Sequence, residues 1–314
     1  MITIIGPTAS GKTSFAAHLA ASYIKEGIEA EILSGDSRQV YRGMDIGTGK
    51  DLCDYTIGNK KIPYHLIDIC NAGEKYNIFQ YQQDFLKAYE DITARKALPI
   101  LCGGSGLYVE SVIKGYNLSP VPQNNELRNS LKDKNLQELT AILEDLKRRN
   151  NSNMHNTTDV DSAQRAIRAI EIETYNSVEH TDNRHFPPIS TTIIGVDISR
   201  EERRNRISSR LKKRVDEGMI DEIKAILDTG VKPEDLIYYG LEYKFVTEFV
   251  TGQLPYYEML EKLEIAIHQF AKRQMTWFRG MERRGLKINW IDYALPMDEK
   301  VRQAKKIYAN NIKL

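Results

Sequence analysis

Apolar residues form short unbroken runs early in the chain and spaced stripes later. Ile2-Thr3-Ile4-Ile5, Ala30-Glu31-Ile32-Leu33-Ser34 and Leu98-Pro99-Ile100-Leu101-Cys102 read as strands, and glycine follows each at Gly6, Gly35 and Gly103. Such runs suit strands covered on both faces of a parallel sheet. Between them lie helical patterns. Residues 13–25 carry Phe15, Ala16, Leu19, Ala20 and Tyr23 on one side, and residues 78–93 carry Phe85, Leu86, Tyr89 and Ile92. A third helix carries Tyr108, Val112 and Ile113. Alternating strands and helices predict an α/β fold, a parallel sheet flanked by helices. Functional loops then belong at the C-terminal strand ends, at residues 6–13, 35–39 and 103–106.

The pattern changes after Leu118. Pro120 and Pro122 punctuate the chain, and residues 125–150 and 159–175 read as polar helices without a strand between them. Asn150-Asn151-Ser152-Asn153 signals a loop, and the stretch from Asn183 to Ser190, with Pro187-Pro188, marks the return. Residues 191–198 resemble another sheet strand. The predicted organisation is residues 1–119 as the first part of the core, 120–188 as a helical insertion, and 189–314 as completion of the core. In the last part, Ile207, Leu211, Val215, Met219 and Ile223 recur at i+4 and predict one helix over 201–229, ended by Gly230 and Pro233. A final helix is predicted over 256–282, with Leu260, Leu263, Ile267, Phe270, Gln274 and Trp277 near one face.

Composition narrows the class. An apolar fraction of 41% and a charged fraction of 28% can build a sizeable core. No apolar run is long enough to span a membrane. Cys53, Cys70 and Cys102 fit neither a zinc pattern nor a disulfide framework. With no leader-like start, a cytoplasmic protein is expected. The net charge of +1 neither requires nor excludes a nucleic-acid partner.

Gly6-Pro7-Thr8-Ala9-Ser10-Gly11-Lys12-Thr13 matches G-x-x-x-x-G-K-[ST] in full, between a strand and a helix. Glycines let successive N–H groups turn toward an anion, and the helix start adds donors. Lys12 can reach a terminal phosphate, and the Thr13 hydroxyl can hold Mg2+. The loop alone does not separate ATP hydrolases, kinases and enzymes of another diphosphate.

Asp36 follows the second strand in Ser34-Gly35-Asp36-Ser37-Arg38-Gln39. It reads as a general base, as a water-mediated Mg2+ ligand, or as a loop-capping Asx residue. Arg38 and Gln39 offer groups suited to base edges or phosphates. Ser105, in Gly103-Gly104-Ser105-Gly106, is either a donor to a ligand or an ordinary helix cap.

Arg203, Arg204, Arg206, Arg210, Lys212, Lys213 and Arg214 crowd one segment with no acid among them. Arg206, Arg210 and Arg214 share a helical face, where like charges repel unless an anion relieves them. Such a helix can close over a diphosphate, track a nucleic acid, or form a solvated surface. A second cluster, Lys272, Arg273, Arg279, Arg283, Arg284 and Lys287, interleaves with Phe270, Trp277, Phe278 and Trp290. The aromatics there can stack on bases or fill the core, and Trp277 reads as core.

Together these segments resemble the tRNA dimethylallyltransferase (tRNA isopentenyltransferase) family over nearly the whole chain. The marks are the loop at 6–13, DSRQVYRGMDIGTGK at 36–50, YHLIDI at 64–69, GGSGLY at 103–108, QRAIRAIEI at 164–172 and AKRQMTWFR at 271–279. The resemblance implies a P-loop NTPase-like fold and transfer of a five-carbon group from dimethylallyl diphosphate to N6 of adenosine 37 in the tRNA anticodon stem-loop. It implies catalytic roles for Asp36 as base, Ser105 (usually threonine) and Lys12. It assigns Thr8, Ala9, Ser10, Gly11, Lys12, Thr13, Arg210 and Arg214 to diphosphate, and Thr13 to Mg2+. Asp36, Ser37, Arg38, Gln39, Ser105, Arg128, Gln164, Arg165, Arg168 and Arg273 are expected to face tRNA. A monomer is expected. Two segments depart from the family pattern. Gly49 precedes Lys50 where alanine is usual, and Gly240-Leu241-Glu242-Tyr243-Lys244 replaces a G-Y-K-[EQ] run. An adenine-nucleotide prenyltransferase, a P-loop small-molecule kinase and a non-enzymatic RNA-binding module are the competing readings.

Overall fold

The computed structural model describes residues 1–118, 120–150, 160–178 and 186–312. Most of the loop expected at 150–153 and the beginning of the return stretch at 183–185 lie outside them. The strands are β1 (Ile2–Ile5), β2 (Ala30–Ser34), β3 (Thr56–Ile57), β4 (Lys60–Lys61), β5 (Tyr64–His65), β6 (Leu98–Gly103), β7 (Thr192–Asp197) and β8 (Ile288–Asp292). The helices begin with α1 (Lys12–Lys25), α2 (Ile78–Ala94), α3 (Gly106–Ile113), α4 (Asn125–Leu131), α5 (Leu136–Arg149) and α6 (Ala163–Val178). They continue with α7 (Arg200–Asp216), α8 (Met219–Asp228), α9 (Pro233–Tyr238), α10 (Leu241–Val250), α11 (Tyr256–Arg283) and α12 (Met297–Ile312).

Six strands form one parallel sheet in the order β5-β2-β6-β1-β7-β8. Period-two alternation sends neighbouring side chains to opposite faces. Ile5, Leu33, Leu101 and Ile193 enter one core cluster, while Ile4, Ile32, Ile100 and Ile194 enter another. The first cluster is closed by residues of α2, α3, α7, α8, α10 and α11; the second is closed by α1 and α12. Ile5 lies opposite both Gly103 and Gly195, and Ser34 lies opposite Cys102. The loops leaving β1, β2 and β6 therefore emerge at nearly one level. No described helix is long and apolar enough to cross a membrane.

The chain divides into two compact units, Met1–Tyr116 with Phe186–Leu314, and Asn117–His185. The sequence expectation put the inserted segment at 120–188. That second unit holds α4, α5 and α6 around Leu131, Leu139, Leu143, Ala166 and Ile170.

Two helical expectations need correction. The helix expected over 201–229 is two helices, α7 and α8, separated at Gly218, whose φ of 99° is left-handed. A strict i+4 stripe drifts about 40° per step on an α-helix, roughly 160° over four steps. The break lets Met219 and Ile223 reach the core that Ile207 and Leu211 share. On α11 Leu263, Ile267 and Gln274 of the expected stripe are buried, and Met259, Ala271 and Phe278 are buried in place of their neighbours Leu260, Phe270 and Trp277. Phe270 is exposed, and Trp277 packs on the core partly buried.

Candidate active site

The loop from Gly6 to Thr13 wraps over the start of α1, with Ala9 at φ 62° and Gly11 at φ 74°. The Ser10 hydroxyl is buried without a partner among the described residues. Burial pulls the Lys12 pKa below the usual lysine range, while Cys102 and Asp36 oppose the shift. Burial pushes the Cys102 thiol up to about 12, so it stays protonated. The loop thus presents helix-start N–H groups and a desolvated ammonium, a combination that attracts anions.

Two arginines of α7, one turn apart, bond this loop, and a third stands one turn further on. Arg206 donates from Nε to the Ala9 carbonyl at 2.8 Å, donates to the Tyr293 hydroxyl, and lies 4.9 Å from that ring's centroid. Arg210 donates from Nη2 to Thr8 Oγ1 at 2.6 Å. Burial, then Arg214, lowers the Arg210 pKa to about 10, against Asp51, Glu242 and Asp36. Arg214 is 5% exposed and lies 3.8 Å from Asp51 and 3.7 Å from Glu242.

Gln274 of α11 braces the loop from another side. Its Oε1 accepts from the Thr8 N–H at 2.8 Å, and its Nε2 donates to the Gly104 carbonyl at 2.8 Å. One amide therefore ties the β1 loop to the β6 loop. The sequence reading placed Gln274 on a helix face but gave it no role. A lone glutamine amid an apolar stripe was the available signal. Arg206 stands out in the sequence only through its basic group and the helical face it shares with Arg210 and Arg214, and Asp51 carries no such signal.

At the end of β2, Asp36 Oδ1 accepts from the Arg38 N–H at 2.9 Å, so the Asx-turn reading is realised. The other oxygen takes no hydrogen bond from the described residues. Asp36 supports the positive charge on Lys12 and Arg210, which puts its carboxylate in the same electrostatic neighbourhood. Ser105 sits at the N-cap position of α3 but does not cap it. Its Oγ accepts from the Ser37 N–H at 3.1 Å and so joins the β6 loop to the Asp36 loop.

Other residues in the Asp36 loop divide between surface and interior. Arg38 lies 5.4 Å from the ring centroid of Tyr238, which is 53% exposed. The Gln39 side chain points inward. It accepts from Ser34 Oγ at 3.1 Å and donates to the Gly49 carbonyl at 3.1 Å. Lys50 is buried and bonds the Tyr41 carbonyl, Asp45 and Asp68. Glu222 accepts from the N–H groups of Asp45, Ile46 and Gly47, so the 45–50 turn is fixed at both ends.

Within the second unit, Gln164 and Arg165 are exposed, with Arg165 paired to Asp161. Arg128 and Arg168 both reach the buried Glu171. Burial opposes ionisation of Glu171, yet Arg128, the Asn124 N–H and Arg168 together hold its pKa down to about 2. On α11, Arg273 is exposed over Phe270, whereas Arg284, just past the end of that helix, is tied to the buried Glu110 through two hydrogen bonds.

The structure thus gathers Thr8 to Thr13, Asp36, Arg210 and Arg214 in one electrostatic neighbourhood, with Ser105 joined to the Asp36 loop. Comparison with known proteins gives the same direction. The IPP transferase profile matches residues 39–281. The tRNA dimethylallyltransferase 1 of Parabacteroides distasonis is 60% identical over 99% of this chain and 98% of its own length. The tRNA dimethylallyltransferase 2 of Bacteroides fragilis is 59% identical over 98% of this chain and 97% of its own. The full-length tRNA isopentenylpyrophosphate transferase structure from Bacillus halodurans has a TM-score of 0.70 at 30% identity, covering 99% of this chain and 96% of that one. Similarity that runs from one end of the chain to the other, across both units and every loop of the cleft, shows that this chain belongs to the IPP transferase family, the tRNA dimethylallyltransferases.

Proposed function

We propose that this chain transfers the dimethylallyl group of dimethylallyl diphosphate to N6 of adenosine 37 in the tRNA anticodon loop, releasing diphosphate. The observation that carries the reading is the grouping of charges around the P-loop. A P-loop flanked by α7 arginines lies in the same charged neighbourhood as a carboxylate with one oxygen that takes no hydrogen bond from the described residues. An anionic leaving group and a proton acceptor are the two needs of this reaction.

The adenine amine is a weak nucleophile because its lone pair is delocalised into the ring. The barrier therefore depends on the departing group. As the bond between the allylic carbon and diphosphate oxygen breaks, Lys12, the loop N–H groups, Arg210 and Arg214 stabilise the charge that builds on oxygen. The new bond joins N6 to that carbon. Asp36 orients the amine and accepts the proton it loses. Ser105 steadies the Asp36 loop through Ser37. A target nucleotide must leave its stack, which a loop position makes easier.

The donor set fits Mg2+ only when it arrives with phosphate. Among the described residues no group of His, Cys, Asp and Glu could hold a metal alone. The Thr13 hydroxyl would hold it beside the diphosphate, with water completing its shell, as suits a cation that keeps most of its water. When bound, it would add charge neutralisation on the leaving oxygens.

Incubation with dimethylallyl diphosphate, Mg2+ and unmodified tRNA, followed by mass analysis of nucleosides, tests the assignment. One five-carbon group on an adenosine beside the anticodon is expected. Equal transfer to free AMP, or phosphate transfer from ATP, would overturn it.

A further inference from the structure

The two segments that depart from the family pattern meet at one guanidinium. Gly49 has φ 65°, and a Cβ built there would overlap Arg214 Nη2. Arg214 thus occupies the space that an alanine would fill. Glu242, in the first turn of α10, has its carboxylate 3.7 Å from Nη1 of the same guanidinium. Neither Glu242 nor Asp51, at 3.8 Å, comes within hydrogen-bond distance.

Arg214 is therefore held by charge yet keeps donors to spare. Its Nη2 is buried and has no hydrogen-bond partner among the described residues. Buried polar groups without partners are uncommon and call for a reason. A small cavity of about 10 Å3 beside it is lined by Arg210, Arg214, Glu242, Ile207, Leu211 and Ile267. Arg210, one turn earlier, already reaches Thr8 of the P-loop. Burial favours the neutral form of Glu242, and Arg214 and Arg210 oppose it. The carboxyl is thus electrostatically coupled to both arginines.

We propose that Glu242 and Gly49 are positioning residues that set Arg214 as a second arginine on the diphosphate. Gly49 provides the room for the guanidinium, and Glu242 holds it there without using up its donors. This proposal rests on the function proposed above and adds two residues that touch neither substrate. It also accounts for both departures by one cause. A chain with alanine at position 49 has no room for an arginine in this pose.

Steady-state kinetics on the full chain test it, with inorganic diphosphate as product inhibitor. The obstructing group over Gly49 is the tip of a flexible side chain, so Gly49→Ala moves Arg214, at the added cost of a side chain on a left-handed backbone position. Gly49→Ala, Glu242→Gln and Arg214→Ala should each raise the KM for dimethylallyl diphosphate and the inhibition constant of diphosphate. The expected size is about tenfold to a hundredfold, the equivalent of one charge-assisted hydrogen bond. The KM for tRNA should hold within about twofold. The decisive readout is coupling, since residues acting through one partner are not additive. In an Arg214→Ala background, neither Gly49→Ala nor Glu242→Gln should weaken diphosphate further. Multiplicative losses there, or single variants with unchanged inhibition constants, would overturn the proposal. If Gly49→Ala does not fold, Glu242→Gln alone and with Arg214→Ala decides the matter. Lys12→Ala separates the two levels. Undiminished diphosphate inhibition in that variant would remove the P-loop reading itself.

Discussion

Gln274→Leu isolates the brace between the two loops of the cleft. Leucine fills similar space but makes neither hydrogen bond. The Gly104 carbonyl is left buried, and the Thr8 N–H is left partly buried. Losing a bond so that its partner is stranded and buried costs about 1–3 kcal/mol. With one group wholly and one partly stranded, the expected loss is ~3 kcal/mol. For a unit of this size, each kcal/mol moves Tm by about 2–4 °C, so a fall of about 6–12 °C follows. The same change frees Thr8, whose hydroxyl also holds Arg210, so donor KM should rise as well. Thermal melts and donor kinetics on the same preparation measure both. Gln274→Glu sharpens the comparison. It keeps an acceptor for Thr8 but sets a negative charge in an anion cleft, so donor affinity should suffer more than in the leucine variant. A leucine variant that melts within about 1 °C of wild type and keeps its donor KM would refute the brace.

Three further expectations follow from the geometry. Asp36→Asn can still accept the Arg38 N–H but cannot take a proton, so kcat should fall about 10²–10⁴-fold with RNA affinity kept; near-normal turnover in single-turnover assays would exclude the base role. Arg206→Ala removes the bond to Ala9 and the stacking on Tyr293, and should raise donor KM while leaving the KM for tRNA unchanged, which initial rates would reveal. Glu171, ordinarily near 4.5 and held at about 2, contributes stability that is complete above pH 4.5 and drains as pH falls toward 2. Glu171→Gln should therefore be less stable than wild type at neutral pH yet lose less between pH 4.5 and 2, as denaturant titrations at several pH values would show.

The central strands were readable because both faces of each are covered, which leaves a run such as Ile2–Ile5 almost wholly apolar. The sheet edges were not. β5 is two half-buried residues, and β8 mixes Asn289 and Asp292 with its isoleucines because it pairs on one side only. α12 escaped notice because only Val301 and Ala304 are its buried apolar residues among the described ones, with Met297, Ile307 and Tyr308 partly buried. In the cleft, local motifs revealed the loops, since phosphate cradles are made of consecutive residues. Gln274, Arg206 and Glu242 act across 170 to 266 positions or through another side chain, and nothing near them in sequence announces a partner. Gln39, a motif residue expected to face tRNA, has its amide bonded to Ser34 and Gly49.

The position of β1 has a consequence for how the molecule is made. Its neighbours are β6 and β7, and the backbone of Met1 accepts from Thr192. Emerging from a ribosome at about 5–20 residues per second, the first strand waits roughly 10–40 s for its second partner. The segment with its own core at Leu139, Leu143 and Ile170 is finished before that. Nascent chains should therefore acquire protease resistance in that middle segment first, while the phosphate loop stays cleavable until β7 has left the exit tunnel.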